Sequence, residues 1–220
     1  AMKIISLVDN VPGTCPGEHG LSLWIELDSG KRILFDMGQG SLFSENAASL
    51  RLNLEDVDIA VISHGHYDHC GGLGVFMEKN SLAKIYMRPG ALEPHYSLKE
   101  YGLKDIGAGI AFCPERFILT GDVEMISDDL TLFSSHCEKY PMPGGNSTLF
   151  APDGKTPDSN CARRDCSIRE IIWTYLLYFT NRFGILSRFS DRRKMLLINP
   201  ETRWLVESAI DSEWEAFIEN

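Results

Sequence analysis

Short apolar runs, separated by turns rich in glycine, proline and asparagine, recur along the chain up to about residue 133. Runs of about four to eight apolar or β-branched residues between such turns are typical of β-strands. These runs predict strands over Lys3–Val8, Leu21–Leu27, Lys31–Asp36, Ile59–Ile62, Lys84–Arg88, Arg116–Gly121 and Leu130–Phe133.

Two segments between these strands have the spacing of helices. Ser41–Leu54 repeats its apolar residues near the period of an α-helix, and Gly72–Asn80 fits a shorter helix. Ala91–Pro114 has no such pattern and contains several glycines, so we predict a loop-rich region there. Strands and helices in this order indicate an α/β (α+β) fold.

A dense group of possible metal ligands follows the strand Ile59–Ile62. It contains His64, His66, Asp68 and His69, which include three of the six histidines in the chain. His64 and His66 are two residues apart, so in extended backbone their side chains lie on the same face. Imidazole and carboxylate ligands suit Zn, Mn or Fe better than Ca or Mg. The loop therefore predicts a transition-metal site rather than a polar turn with incidental histidines.

The pattern His-x-His-x-Asp-His after a buried strand resembles the signature of the metallo-β-lactamase superfamily. The resemblance implies an αββα sandwich, here with an incomplete or altered second half. It also implies that His64 and His66 hold one metal, and that Asp68 and His69 hold a second. In that family a bridging water becomes the attacking hydroxide, because a bound cation lowers the pKa of water. Asp68 is thus a candidate catalytic residue as well as a ligand.

Two further residues gain roles from the resemblance. The sequence Leu-Phe-Asp-x-Gly around Asp36 resembles the start of the family fold, where the Asp orients a ligand histidine. A simple cap at the strand end is the alternative for Asp36. Glu18–Ser22 resembles the subgroup similar to a dihydropterin ribofuranosyl-aminobenzene phosphate synthase. In that subgroup the loop reaches the mouth of the site, which implies a substrate contact for His19; a solvated loop histidine is the alternative.

The resemblance covers about residues 1–158, and the sequence departs from the family after that point. The subgroup's downstream patterns Asp-x-Phe-x-His-Glu, Gly-Cys-Ser/Ala-His and Gly-Gly-x-His do not occur, and no histidine follows His136. A catalytic zinc needs about three protein ligands. His136 is the favoured additional ligand, ahead of His95, because it follows the strand Leu130–Phe133; Cys137 beside it is another possible donor.

Composition also changes near residue 158. Residues 1–158 carry the whole net charge of −10, whereas residues 159–220 hold nine basic and nine acidic side chains. We therefore treat 1–158 as the metallo-β-lactamase-like part and 159–220 as an atypical segment. A frameshift or recombination would explain this segment, and so would a real but divergent half. Its pattern predicts a helix over Ser167–Phe183, a hairpin over Lys194–Glu207 and a helix over Ala209–Ile218, which pack on the first part or on a second subunit.

Charge and hydropathy exclude several classes of function. With 220 residues, a net charge of −10 and a pI of about 5.0, the chain lacks the basic balance of a nucleic-acid or anionic-membrane binder. No apolar run approaches the roughly 20 residues that span a bilayer. The start lacks the features of a signal peptide, and the six cysteines show no paired framework. We expect a cytoplasmic protein with free thiols and a small-molecule substrate.

Three functions remain open from the sequence. The first is a metal-dependent hydrolase with one or two ions of Zn, Mn or Fe, in which hydroxide attacks a phosphoester or related ester. The second is a non-catalytic or truncated remnant of this fold, with a partial metal site and possibly a homo-oligomeric state. The third is a lactamase or a glyoxalase-type thioesterase, since both share the histidine pattern.

Overall fold

A computed structural model describes residues 3–121, 123–127, 130–133, 147–158 and 184–186 of the chain. The strands are β1 Lys3–Val8, β2 Ser22–Glu26, β3 Arg32–Phe35, β4 Ile59–Val61, β5 Lys84–Met87, β6 Tyr96–Lys99, β7 Gly102–Asp105, β8 Phe117–Leu119, β9 Val123–Ser127, β10 Leu130–Phe133, β11 Leu149–Phe150 and β12 Gly184–Leu186. The helices are α1 Leu42–Ser49, α2 Tyr67–Cys70 and α3 Leu73–Lys79, with 3-10 turns at Leu54–Asp56 and Pro89–Leu92.

The main sheet has six strands in the order β1–β2–β3–β4–β5–β8. Strands β1 to β3 pair antiparallel, whereas β3, β4, β5 and β8 run parallel. Parallel strands end at the same edge of a sheet, and ligands bind preferentially beyond that edge in open α/β folds. The loops after β3, β4 and β5 therefore meet there, and they carry Asp36, the histidine loop and the turn before His95.

Both faces of the main sheet are covered. Alternate strand residues point to opposite faces, and they form two separate apolar cores. One core packs the strands against α1 and α3 and includes Ile5, Trp24, Leu34, Ile62, Phe43 and Phe76. The other packs the opposite face against β10 and includes Ile25, Ile33, Phe35, Val61, Leu130 and Leu132. The result is a helical layer, the main sheet and a second sheet, β12–β10–β9, as the family resemblance implies.

The predicted strands are confirmed to within two residues at each end, but one predicted helix is too long and one hairpin was not predicted. The helix predicted over Ser41–Leu54 ends at Ser49, because Arg51 adopts a positive φ of 59° that an α-helix cannot contain. The region Ala91–Pro114 is not only loop. It contains the hairpin β6–β7, which pairs with β11 in a third sheet. Its alternation of apolar and polar residues is confined to the four residues Tyr96–Lys99, and burial does not follow it, since Leu98 is exposed and Ser97 is buried.

Several expectations lie outside the described residues: the helix Ser167–Phe183, the hairpin Lys194–Glu207 and the helix Ala209–Ile218. Of the segment 159–220, only β12 is described, and it pairs antiparallel with β10. Within the described part of the chain, no helix has the length and apolar character needed to cross a membrane.

Two glycines next to the histidine loop give a test of local packing. A Cβ on Gly72 would lie 2.3 Å from the Met37 carbonyl oxygen, whereas a Cβ on Gly74 in helix α3 would meet nothing within 4 Å. We expect Gly72→Ala to lower the free energy of unfolding by about 1–3 kcal/mol, because the backbone must shift. Gly74→Ala should instead raise it by about 0.5–1 kcal/mol. Urea denaturation of metal-free protein measures both; equal effects of the two changes would contradict the packing described.

Candidate metal centre

The backbone of neighbouring loops holds the histidine loop in place. The amide of Leu21 donates to the Asp68 carbonyl oxygen at 3.2 Å, and the amide of Met37 donates to that of His69 at 2.7 Å. On the other side, the amide of Tyr67 donates to the Ile106 carbonyl oxygen at 2.9 Å. Because these bonds come from three different segments, the loop occupies a fixed position at the edge of the main sheet.

Four histidine rings form a continuous row among the described residues. The ring centroids of His69 and His64 are 4.2 Å apart, those of His64 and His66 are 4.4 Å apart, and those of His66 and His95 are 5.0 Å apart. All four residues are buried. The structure thus brings together the three histidines of the predicted site and adds His95. The sequence analysis favoured His136 over His95 as an additional ligand. His136 and Cys137 lie outside the described residues.

Asp36 closes one end of this row. Its Oδ2 lies 2.7 Å from Nδ1 of His69, and its two oxygens accept the Ser63 amide at 2.8 Å and the Ser63 hydroxyl at 2.6 Å. Burial raises the pKa of the Asp36 carboxyl, while the His69 ring and the Ser63 hydrogen bonds oppose that rise. A carboxylate at this distance fixes the hydrogen of His69 on Nδ1, so Nε2 is the nitrogen left to bind a cation.

Ser63 extends the same arrangement to the next ring. Its hydroxyl donates to Asp36, and its oxygen lies 2.9 Å from Nδ1 of His64. Because the hydroxyl hydrogen is committed to the carboxylate, the oxygen accepts from Nδ1–H of His64. His64 therefore presents Nε2 as its basic nitrogen, like His69. Sequence reasoning assigned no role to Ser63, although its position directly before the first histidine was visible.

Asp158 lies at the other end of the row. Its Oδ2 is 2.8 Å from Nδ1 of His95 and 3.9 Å from Nε2 of His66. The three donor atoms lie within 4.8 Å of one another, and all three residues are buried, so they form a possible His/His/Asp metal site. Nothing in the sequence connects Asp158 with His95, because 63 residues separate them. In the sequence analysis Asp158 marks only the point at which the resemblance ends.

Asp68 and His19 form the outer side of the site. Asp68 Oδ2 lies 3.8 Å from Nε2 of His69 and 3.2 Å from Nε2 of His19. The other ring nitrogen of His19 contacts Oδ1 of Asn10 at 2.8 Å. The His19 side chain is 69% exposed, against 12% for Asp68, so His19 stands between Asp68 and solvent. A substrate contact by His19 stays a prediction.

Cys70 is close to the site but does not join its donors. Its thiol is buried and donates to the His66 carbonyl oxygen at 3.0 Å. Burial raises the pKa of this thiol well above its usual value, and the charges of Asp36 and Asp68 raise it further. Because the thiol is directed at this backbone oxygen inside the apolar core, Cys70 is a packing residue here.

This donor set fits a divalent transition metal. Two basic ring nitrogens, Nε2 of His64 and of His69, belong to rings whose centroids are 4.2 Å apart, and the Asp68 carboxylate lies beside them. Buried imidazoles oriented by carboxylates, with a carboxylate among the donors, are the usual surroundings of Zn, Mn or Fe.

Comparison with known proteins agrees with this fold. The chain is 39% identical over 85 residues to an uncharacterized protein of Methanocaldococcus jannaschii, and 34% identical over 137 residues to the 7,8-dihydropterin-6-methyl-4-(beta-D-ribofuranosyl)-aminobenzene-5'-phosphate synthase of the same organism. The matches cover 38% and 55% of this chain but only 33% and 46% of those relatives.

The fold resembles that of Tm1679, a metal-dependent hydrolase of the beta-lactamase superfamily. The TM-score is 0.51 at 25% identity, and the match covers 69% of this chain and 54% of that one. The sequence profile of the metallo-beta-lactamase superfamily matches residues 15–150, which is more than half of the 220 residues. The chain therefore belongs to the metallo-β-lactamase superfamily.

Proposed function

We propose that this chain is a metal-dependent hydrolase that acts on a phosphoester or a related ester. The row of buried histidine rings at the carboxyl edge of the parallel strands carries this proposal. Polar side chains are rarely buried together unless they bind one another or a ligand. The likeness to Tm1679, which is described as a metal-dependent hydrolase, supports the same reaction class.

In this proposal His64, His66, Asp68 and His69 hold one or two ions of Zn, Mn or Fe. A bound cation of this kind supplies Lewis-acid activation of water and stabilises negative charge that develops on the substrate. Asp36 and Ser63 keep the rings of His69 and His64 oriented. Asp68, the most exposed of these donors, accepts a proton from the attacking water.

The proposed substrate is a small phosphorylated molecule. The named curated relative is a synthase of a phosphate compound, which favours a phosphorylated or pterin-like substrate for this chain. His19 stands at the outer side of Asp68. In this proposal its Nε2 would leave Asp68 and donate a hydrogen bond to a phosphate or carbonyl oxygen of a bound substrate.

A metal-dependence assay tests this function on the full chain. Protein purified without chelators should hold less than one tightly bound metal per chain, because the family's downstream ligand patterns do not occur in the sequence. Excess zinc or manganese should then produce slow hydrolysis of phosphodiester or ester substrates, and Asp68→Asn should abolish it. Asp56→Asn is the matched control, since the Asp56 carboxylate pairs with Arg32 at the surface.

The outcomes separate the candidate functions. Turnover that rises with added metal and disappears in Asp68→Asn supports the hydrolase. Bound metal without turnover on phosphoesters, esters, thioesters or β-lactams would favour the non-catalytic remnant. Turnover confined to β-lactams or thioesters would favour the third candidate.

A further inference from the structure

We infer that Asp158 and His95 form a second orienting pair, which acts on His66 as Asp36 and Ser63 act on His69 and His64. The inference rests on the proposed metal site and adds two positioning residues to it. Asp158 faces Nε2 of His66 from 3.9 Å, and His95 holds Asp158 through a 2.8 Å hydrogen bond. Each end of the histidine row is thereby closed by a buried carboxylate that has its own hydrogen-bond donor.

Hydrogen bonding favours this role for His95 over direct metal ligation. Its Nδ1 binds Asp158, and its Nε2 lies 3.1 Å from the Gly90 carbonyl oxygen. An oxygen therefore lies within 3.1 Å of each ring nitrogen, so a metal could reach neither nitrogen without moving one of these oxygens. The spacing of His66, His95 and Asp158 is compatible with a metal, but the bonds that His95 already makes are those of a positioning residue.

The carboxylate of Asp158 determines which nitrogen of His66 carries hydrogen. The 3.9 Å separation is about 1 Å longer than a hydrogen bond, so Asp158 acts through its charge. In a buried site with low dielectric, that charge favours an N–H that points toward it. The hydrogen of His66 is then on Nε2, and Nδ1 becomes its basic nitrogen.

The absence of a side chain at Gly65 leaves space for the His95 ring. A Cβ on Gly65, the residue between His64 and His66, would lie 2.7 Å from Nε2 of His95 and 2.3 Å from the Ala91 carbonyl oxygen. The His95 ring thus packs against the histidine loop at the one position that has no side chain. The amide of Ile106 binds the His95 carbonyl oxygen at 2.8 Å, which fixes the backbone of His95 as well.

The simpler explanation is that Asp158 only fastens its own loop. That loop is already closed by backbone bonds, from the Asp158 amide to the Leu149 carbonyl oxygen at 3.0 Å and from the Ala151 amide to that of Thr156 at 2.9 Å. Its turn is also held by Asp153, whose carboxylate accepts hydrogen bonds from Lys155 and Thr156. The Oδ2 atom of Asp158, in contrast, lies against the histidines, 2.8 Å from Nδ1 of His95 and 3.9 Å from Nε2 of His66.

The experiment compares Asp158→Asn with Asp153→Asn in the full chain. Asp153→Asn disturbs the same loop without touching the cluster, so it is the matched control. Zinc affinity is measured by competition with a chromophoric chelator. The position of the His66 ring hydrogen is measured in metal-free protein by long-range ¹H–¹⁵N correlation. We expect Asp158→Asn to weaken zinc binding about 10–100-fold and to move His66 hydrogen from Nε2 toward Nδ1. Asp153→Asn should change neither.

A second variant keeps the test decisive if Asp158→Asn does not fold. His95→Gln retains the carboxylate but removes its imidazole partner, and we expect a smaller loss of zinc affinity in the same direction. Wild-type affinity and an unchanged His66 ring in these variants would overturn the inference. So would ¹⁵N shifts in zinc-loaded wild-type protein that identify His95 as a ligand.

Failure of this inference can be told apart from failure of the proposed metal site. If His64→Ala with His66→Ala loses zinc while Asp158→Asn keeps it, only the orienting pair is wrong. If the double variant binds zinc like the wild type, the metal site itself is wrong.

Discussion

Replacing His64 and His66 together by alanine should remove most of the transition metal that the chain binds. Both side chains are buried in the histidine row, and they supply half of the ligands proposed from the loop. Metal affinity depends on the number and placement of ligands, so loss of two leaves a site that cannot hold an ion through purification. Zinc, manganese and iron per chain, measured by plasma mass spectrometry, provide the test.

The control for this experiment is Asp56→Asn. The Asp56 side chain is 48% exposed, pairs with Arg32 and is not among the proposed ligands, so this variant should keep wild-type metal content. Circular dichroism of both proteins checks that the fold survives. Equal metal content in the double variant and the wild type would show that the loop is not the binding site.

Asp36→Asn should weaken metal binding about 10–100-fold while the fold survives, as is usual when the partner of a ligand histidine is changed. Asparagine tolerates the left-handed backbone of Asp36, whose φ is 55°. The amide group of asparagine, however, has one oxygen where aspartate has two. It therefore cannot accept all three hydrogen bonds that Ser63 and His69 donate to the carboxylate. The His69 ring then loses its fixed hydrogen on Nδ1, and Nε2 is no longer reliably basic.

Titration of zinc into the metal-free variant measures this loss, with Asp56→Asn as a surface control. Thermal unfolding in excess chelator reports the fold separately. Wild-type zinc affinity in Asp36→Asn would reduce Asp36 to a cap at the end of β3, which is the alternative that its sequence position leaves open.

Local sequence patterns were sufficient to predict the strands and the contacts between residues that are close together in the chain. The strand Ile59–Ile62 is apolar because it is buried on both faces, and it leads directly into the histidines. Two-residue spacing predicted His64 and His66 together, and their rings are 4.4 Å apart. The family resemblance, rather than local pattern, implied that the acid at the end of the third strand contacts a ligand histidine, and Asp36 lies 2.7 Å from His69.

Long-range contacts could not be predicted in the same way. His95 and Asp158 are 63 residues apart. Their segments meet through the pairing of β6 with β11 and the hydrogen bond from the Asp158 amide to the Leu149 carbonyl oxygen. The hairpin β6–β7 is held by backbone bonds between mostly exposed residues. Its apolar Leu98 and Leu103 are exposed, so the sequence does not mark it as an element that faces a core. The early end of α1 depends on the backbone angle of Arg51, which residue type alone does not indicate.

X-ray absorption of the zinc-loaded wild-type chain tests the metal site most directly. If the histidine loop holds the ion, the first shell contains nitrogen and oxygen at about 2.0–2.1 Å, with the outer-shell pattern of at least two imidazoles. A first shell dominated by sulfur at about 2.3 Å, or an oxygen shell without imidazole scattering, would contradict this assignment.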